Sequence, residues 1–190
     1  MPNIFLIHGA YGNPDENWFP WLRNRILERE RHEWKVIIPH FPTPQDQSLA
    51  SWRKVFAKYE PLITTEDIFV GHSLGPAFIL DLLQRINISV KAVFLIAPFV
   101  SSLGNPAFDS VNKTFYQNFD WKKIRGHSKL FKVYYSDNDP YVPAKRSREV
   151  AQRLGVKPIL VKKAGHFNAA AGYTLFELLW KDIEKEMITR

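Results

Sequence analysis

Three short stretches hold the side chains with which this chain could do chemistry. The first is Gly71-His72-Ser73-Leu74-Gly75, a G-x-S-x-G sequence that follows an apolar run and leads into a helical pattern. In that context the two glycines make room where strand and helix cross sharply, and the Ser73 hydroxyl is thrust out at the sheet's edge. Pro76 fits the first helical turn, whose N–H groups have no intrahelical partner. A serine hydroxyl is a poor nucleophile until a base takes its proton, and that base needs an acid to fix its tautomer. The second stretch, Ser136 to Pro143, offers Asp137 and Asp139, and the third, Ala164-Gly165-His166-Phe167, offers the base. Asp139 in Asp-x-x-Val-Pro falls at the loop tip just before a helix and is the expected acid. Asp137, closer to the strand end, is expected to brace the turn by accepting backbone N–H bonds.

Acyl transfer also requires donors for the oxyanion that develops on the substrate. The Leu74 N–H, at the positive end of the helix after Ser73, is one expected donor. The other is expected from the loop His8-Gly9-Ala10-Tyr11-Gly12, at Ala10. That loop lacks G-x-G-x-x-G and no Walker lysine follows it, which argues against a phosphate cradle. Of the six histidines only His166 lies just beyond the last strand with a glycine before it. His8 is expected to hold its own loop, His72 to be directed away by its place in the turn, and His32, His40 and His127 to be loop or surface residues. None pairs at metal-ligand spacing, and no metal or cofactor is expected.

Six apolar runs alternating with helical patterns must position these groups. The runs are Asn3 to His8, Trp34 to Ile38, Asp67 to Gly71, Lys91 to Ala97, Leu130 to Ser136 and Pro158 to Val161. They are nearly unbroken, as strands of a parallel sheet covered on both faces should be. Helices are expected to open at Pro20, near Asp46 as a cap, at Leu74, at Pro143 (ending at Gly155) and over Tyr173 to Glu186. The second should present Leu49, Trp52, Phe56 and Tyr59 on one face and stop at Pro61. Phe99 to Lys129 reads as one long irregular stretch. No repeat or linker supports a boundary, so the 190 residues are expected to form one domain, with ligands bound beyond the carboxyl ends of the strands.

Composition is ordinary for a globular chain: 45% hydrophobic and 24% charged residues, enough to build a substantial core. The absence of cysteine excludes disulfides, thiolate metal sites and a cysteine nucleophile. The opening apolar run is too short for a signal-peptide core, and no stretch approaches the roughly 20 apolar residues that span a bilayer. A cytoplasmic protein without a membrane role is expected. The net charge is +7, but Arg23, Arg25, Arg29, Lys145, Arg146 and Arg148 alternate with apolar residues in helical patterns, as solvated helix faces do. No specific nucleic-acid site is expected.

The order Ser73, Asp139, His166 is that of the α/β-hydrolases. His8-Gly9-Ala10-Tyr11-Gly12-Asn13-Pro14, then Asn17-Trp18-Phe19-Pro20-Trp21-Leu22 and Gly71-His72-Ser73-Leu74-Gly75, closely resemble the compact serine hydrolases of the retinoblastoma-binding protein 9 type. The resemblance covers essentially the whole chain, beginning at the superfamily's third strand. It implies a three-layer α/β/α fold of about six parallel strands, no separate cap domain, a Ser-Asp-His triad and esterase-like activity. The binding function in that family's name rests on a cysteine-containing motif, which this chain cannot contain.

Tyr11, Trp18 and Phe41 fall in loops beside the expected site and are candidates for a substrate pocket, with Phe19 among them; the aromatic residues after the fourth strand could form another wall. Without a cap, little is left to enclose a long acyl chain, so small esters or related acyl compounds are the expected substrates. Two rivals use the same residues. One is a catalytically silent hydrolase-fold protein that binds a protein partner, and the other is a lyase or cofactor-free peroxidase.

Overall fold

The computed structural model describes residues 1–28 and 33–188; Arg29 and His32 lie outside them. Six strands form one parallel sheet in the order β2-β1-β3-β4-β5-β6. They are β1 (Asn3–Ile7), β2 (Lys35–Ile37), β3 (Ile68–His72), β4 (Ala92–Ile96), β5 (Phe131–Ser136) and β6 (Ile159–Val161). Each lies within a residue or so of its apolar run. β1, β3 and β4 are buried at every position, because helices cover both faces.

Among the described residues the α-helices are α1 (Phe19–Leu27), α2 (Leu49–Phe56), α3 (Gly75–Arg85), α4 (Pro106–Asn112), α5 (Trp121–Gly126), α6 (Ala144–Leu154) and α7 (Glu177–Ile188). Alternate side chains of the strands feed two cores. Phe5, Ile7, Phe69, Val93 and Val133 pack with residues of α2, α3, α5 and α6, while Ile4, Leu6, Val70, Phe94 and Tyr134 pack with residues of α1 and α7. That period of two is what a sheet sandwiched between helix layers demands.

Several boundaries differ from expectation. Asp46 does not cap α2: it has φ 57°, and the side chain of Ser48 accepts the Ser51 N–H instead. Tyr59 lies past the end of that helix, and α7 starts at Glu177 rather than Tyr173. The stretch after β4 is not irregular throughout. Asn105 caps α4 by accepting from the Ala107 and Phe108 N–H groups, with Pro106 opening the helix, and Asp120 caps α5 by accepting from Lys123.

The sheet order brings the chemistry together. The chain leaves β1 for β2 on one side and then returns to β3 on the other, so β1 and β3 adjoin at the switch point where open α/β sheets bind ligands. Their register pairs Ile7 with Gly71, which sets the loop after β1 beside the turn after β3.

Candidate active site

At the carboxyl end of β3, Ser73 has φ 60°, a left-handed backbone that only a constrained turn holds for a residue with a side chain. The Ser73 N–H donates to Ile96 O at 2.9 Å, tying the turn to β4. The flanking glycines are explained by contact. A Cβ on Gly71 would lie 2.7 Å from Ile79 Cδ1 and 2.8 Å from Pro76 N, and one on Gly75 would run into the Ile7 and His8 carbonyl oxygens. Neither position has room for alanine.

The loop after β1 closes on the same serine: a Cβ on Gly9 would sit 2.7 Å from Ser73 Cβ and 3.2 Å from its Oγ. His8 steers this loop. Its Nε2 accepts the Phe41 N–H at 3.1 Å, so the proton is on Nδ1, which donates to Gly9 O at 2.8 Å. Gly9 O and the Ala10 N–H belong to one trans peptide and point in opposite directions. Holding the carbonyl toward His8 therefore turns the Ala10 N–H the other way, and Ala10 lines the cavity that contains Ser73. Burial pushes the His8 ring down to about 4, keeping it neutral. The Leu74 N–H sits at the head of α3, where N–H groups lack intrahelical acceptors.

Asp139 and His166 meet although 27 residues separate them: Nδ1 of His166 lies 2.8 Å from Asp139 Oδ2. The other carboxylate oxygen accepts the Tyr141 and Val142 N–H groups, both at 2.9 Å, which fixes the plane of the acid. Asp137 stands apart from this pair and accepts the Lys163 N–H at 2.7 Å. It braces the loop that carries His166 from outside.

That loop is strained and heavily tethered. Lys163, Gly165 and Phe167 have φ of 56°, 54° and 52°. Ser136 Oγ accepts the Ala164 N–H, Asn138 Oδ1 accepts the Gly165 N–H, and Trp18 Nε1 donates to Phe167 O at 3.0 Å. The remaining tether is His72, whose ring is not directed away as expected. Its Nε2–H donates to His166 O at 2.8 Å, with the two rings 4.8 Å apart. Burial, reinforced by the charge His166 can carry, pushes His72 down to about 3. The residue before the serine thus grips the backbone of His166. No sequence signal marks this contact, since its partner lies 94 residues away.

Ser73 and His166 line one cavity of about 400 Å³. Tyr11 forms part of its wall, in a file of edge-to-face rings running Tyr11, Phe108, Tyr141, His166 with centroid separations of 6.1, 5.8 and 5.1 Å. Trp18 and Phe41 do not line it. Both are wholly buried: Trp18 reaches under the sheet end to its backbone partner, and Phe41 stacks on Trp52 at 4.4 Å in the core. Phe19, Phe115 and Phe119 are buried too, because rings this large are worth more to the packing than to a rim. Phe108 reaches the wall because α4 is pinned by Asp109, which accepts from Leu103 and Gly104 N–H, Ser102 Oγ–H and Tyr116 Oη–H.

Parallel strands in this order, with a serine on the turn after β3 and helices on both faces, define the α/β-hydrolase fold, without a separate cap among the described residues. Within that fold the family model for serine hydrolases matches residues 4–185, and the chain belongs to that family. YdeN of Bacillus subtilis (strain 168) is 27% identical over 179 residues, 93% of this chain and 92% of that protein. The crystal structure of the B. subtilis ydeN gene product superposes with a TM-score of 0.90 at 25% identity, covering 100% of both chains. Serine hydrolase RBBP9 of Rattus norvegicus is 24% identical over 172 residues, 90% of this chain and 87% of that protein. No helix among the described residues is long and apolar enough to cross a membrane.

Proposed function

We propose that the chain cleaves small carboxylic esters, or closely related acyl compounds, through an acyl-enzyme formed on Ser73. The observation that carries this reading is the 2.8 Å contact of His166 Nδ1 with an Asp139 carboxylate already pinned by two backbone N–H groups, beside a serine held at φ 60°. A ring that donates its Nδ1–H to Asp139 keeps Nε2 free to accept a proton.

Ser73 Oγ attacks the ester carbonyl carbon while Nε2 takes its proton, and the tetrahedral oxyanion is received by the Leu74 and Ala10 N–H groups. Collapse expels the alcohol, which leaves with the proton from Nε2. Water then surrenders a proton to Nε2 and attacks the acyl-enzyme, releasing the carboxylic acid and restoring the Ser73 hydroxyl. Asp139 stays ionised and holds the imidazolium in place. A cavity of about 400 Å³ lies toward the lower end of small-molecule sites, which favours short acyl groups.

A fluorophosphonate probe should label the wild-type chain covalently and leave Ser73→Ala unlabelled. Labelling that persists in the variant removes Ser73 from its role, and a wild-type chain that neither labels nor cleaves short esters removes the reading as a whole.

A further inference from the structure

The charge of the cavity runs against the charge of the chain. The protein carries a formal +7, yet among the described residues no lysine or arginine lines the cavity. The one described wall residue with a carboxylate is Glu16, in the loop between β1 and α1. Oε2 of Glu16 accepts from Asn13 Nδ2 at 3.0 Å and Oε1 from Asn17 Nδ2 at 3.4 Å, so neutral amides steady the group without cancelling its charge. Among the described residues no cationic side chain forms an ion pair with it; the nearby Asp15 takes Arg23 instead. His72 supplies no offsetting charge either, since burial keeps it neutral.

The rest of the wall suits the same partner. Tyr11, Phe108 and Tyr141 form the aromatic file described above, and ring faces attract cations. A carboxylate and three aromatic residues lining one cavity are complementary to an organic ammonium group. They are unfavourable to an anionic substrate, which would meet Glu16 with no lysine or arginine of the described wall to balance it.

We propose that this cavity selects esters bearing an ammonium group over their neutral and anionic counterparts, with Glu16 as the specificity-determining residue. The proposal rests on the hydrolase reading for its substrate class. An ester can carry the ammonium on either side of the scissile bond, in an aminoacyl group or an amino-alcohol leaving group, and a charge series can be built on each side.

The test is kcat/KM for matched ammonium, neutral isosteric and carboxylate esters in both series, in wild type and in Glu16→Gln. The ammonium member of at least one series should exceed its neutral counterpart by about tenfold, the scale of one charge-assisted hydrogen bond, and the series that shows it identifies the side. The preference should collapse toward one in Glu16→Gln and shrink as salt rises. A wild-type ratio near one in both series, with neutral esters still cleaved, overturns the selectivity and leaves the hydrolase reading intact. So does a ratio that Glu16→Gln leaves unchanged. A further measurement needs neither the variant nor turnover: calorimetric binding of an alkylammonium ion and its uncharged isostere to wild type. About tenfold tighter binding of the cation supports the proposal, and equal binding overturns it even if no ester is cleaved.

Discussion

Replacing His72 by leucine removes a single donor and should disable the site without unfolding the protein. The His72 Nε2–H to His166 O bond, at 2.8 Å, joins the residue before the nucleophile to the backbone of the proposed base. Its loss forfeits a hydrogen bond of about 1 kcal/mol and leaves a buried carbonyl unpaired, for a total of about 2 kcal/mol. That carbonyl lies in a loop with three residues at positive φ, so the loss falls on the population of loops holding His166 in place. Two kilocalories correspond to roughly 30-fold, expected in kcat with KM nearly constant, because the aromatic wall is untouched. His72→Gln, whose amide N–H reaches about as far as the imidazole Nε2–H, should recover kcat to within about threefold of wild type. Steady-state kinetics on a short chromogenic ester, with urea unfolding as a control, reads all of this. If His72→Leu keeps wild-type kcat, or if the glutamine and leucine variants fall equally, the donor does not position the base.

Asp139→Asn should lower kcat by about 10⁴-fold through loss of the His166 tautomer, whereas Asp137→Asn should cost about 1 kcal/mol in urea unfolding and change kcat little. Exchanged outcomes would exchange the two roles. Acid should destabilise the fold through its buried histidines. Burial lowers His8 to about 4 and His72 to about 3, against about 6.5 in the unfolded chain, so the unfolded state binds more protons as pH falls below about 6.5. The stability from keeping them neutral is complete above pH 6.5 and is lost as pH falls toward those values. For His8 alone it amounts to about 3 kcal/mol, at about 1.4 kcal/mol per pKa unit. Urea unfolding between pH 7 and pH 4.5 should show the decline, and a shallower one in His8→Gln; parallel slopes would refute the attribution.

β1, β3 and β4 were legible because each is a short apolar run buried at every position, a pattern that needs no knowledge of its neighbours. The turn at Ser73 was legible for a related reason: Gly71 and Gly75 mark, in the sequence itself, the places where backbone approaches too closely for a side chain. α4 left a local signal as well, the Asn105-Pro106 cap and opening, but a seven-residue helix is too short for periodicity to announce it. Trp18 and Phe41 misled because a ring in a loop sequence can still be a core residue once the loop folds back over the sheet end. Glu16 and His72 gave no warning at all. The partner of His72 lies 94 residues away, and although Asn13 and Asn17 hold Glu16 locally, the cavity it lines is completed by residues distant along the chain.

β6 has only three residues and one neighbour, β5, yet the loop it feeds carries His166. Edge segments with few ladder bonds open most readily, well below the free energy of global unfolding. A molecule with this edge frayed would still contain β1 to β5, both hydrophobic cores and the Ser73 turn, and would register as folded to any probe of the interior. It would lack the proposed base. The fraction of active protein is then governed by an equilibrium at the sheet margin, and side-chain tethers from His72, Trp18, Ser136 and Asn138 act as a latch on that equilibrium in place of the missing strand length.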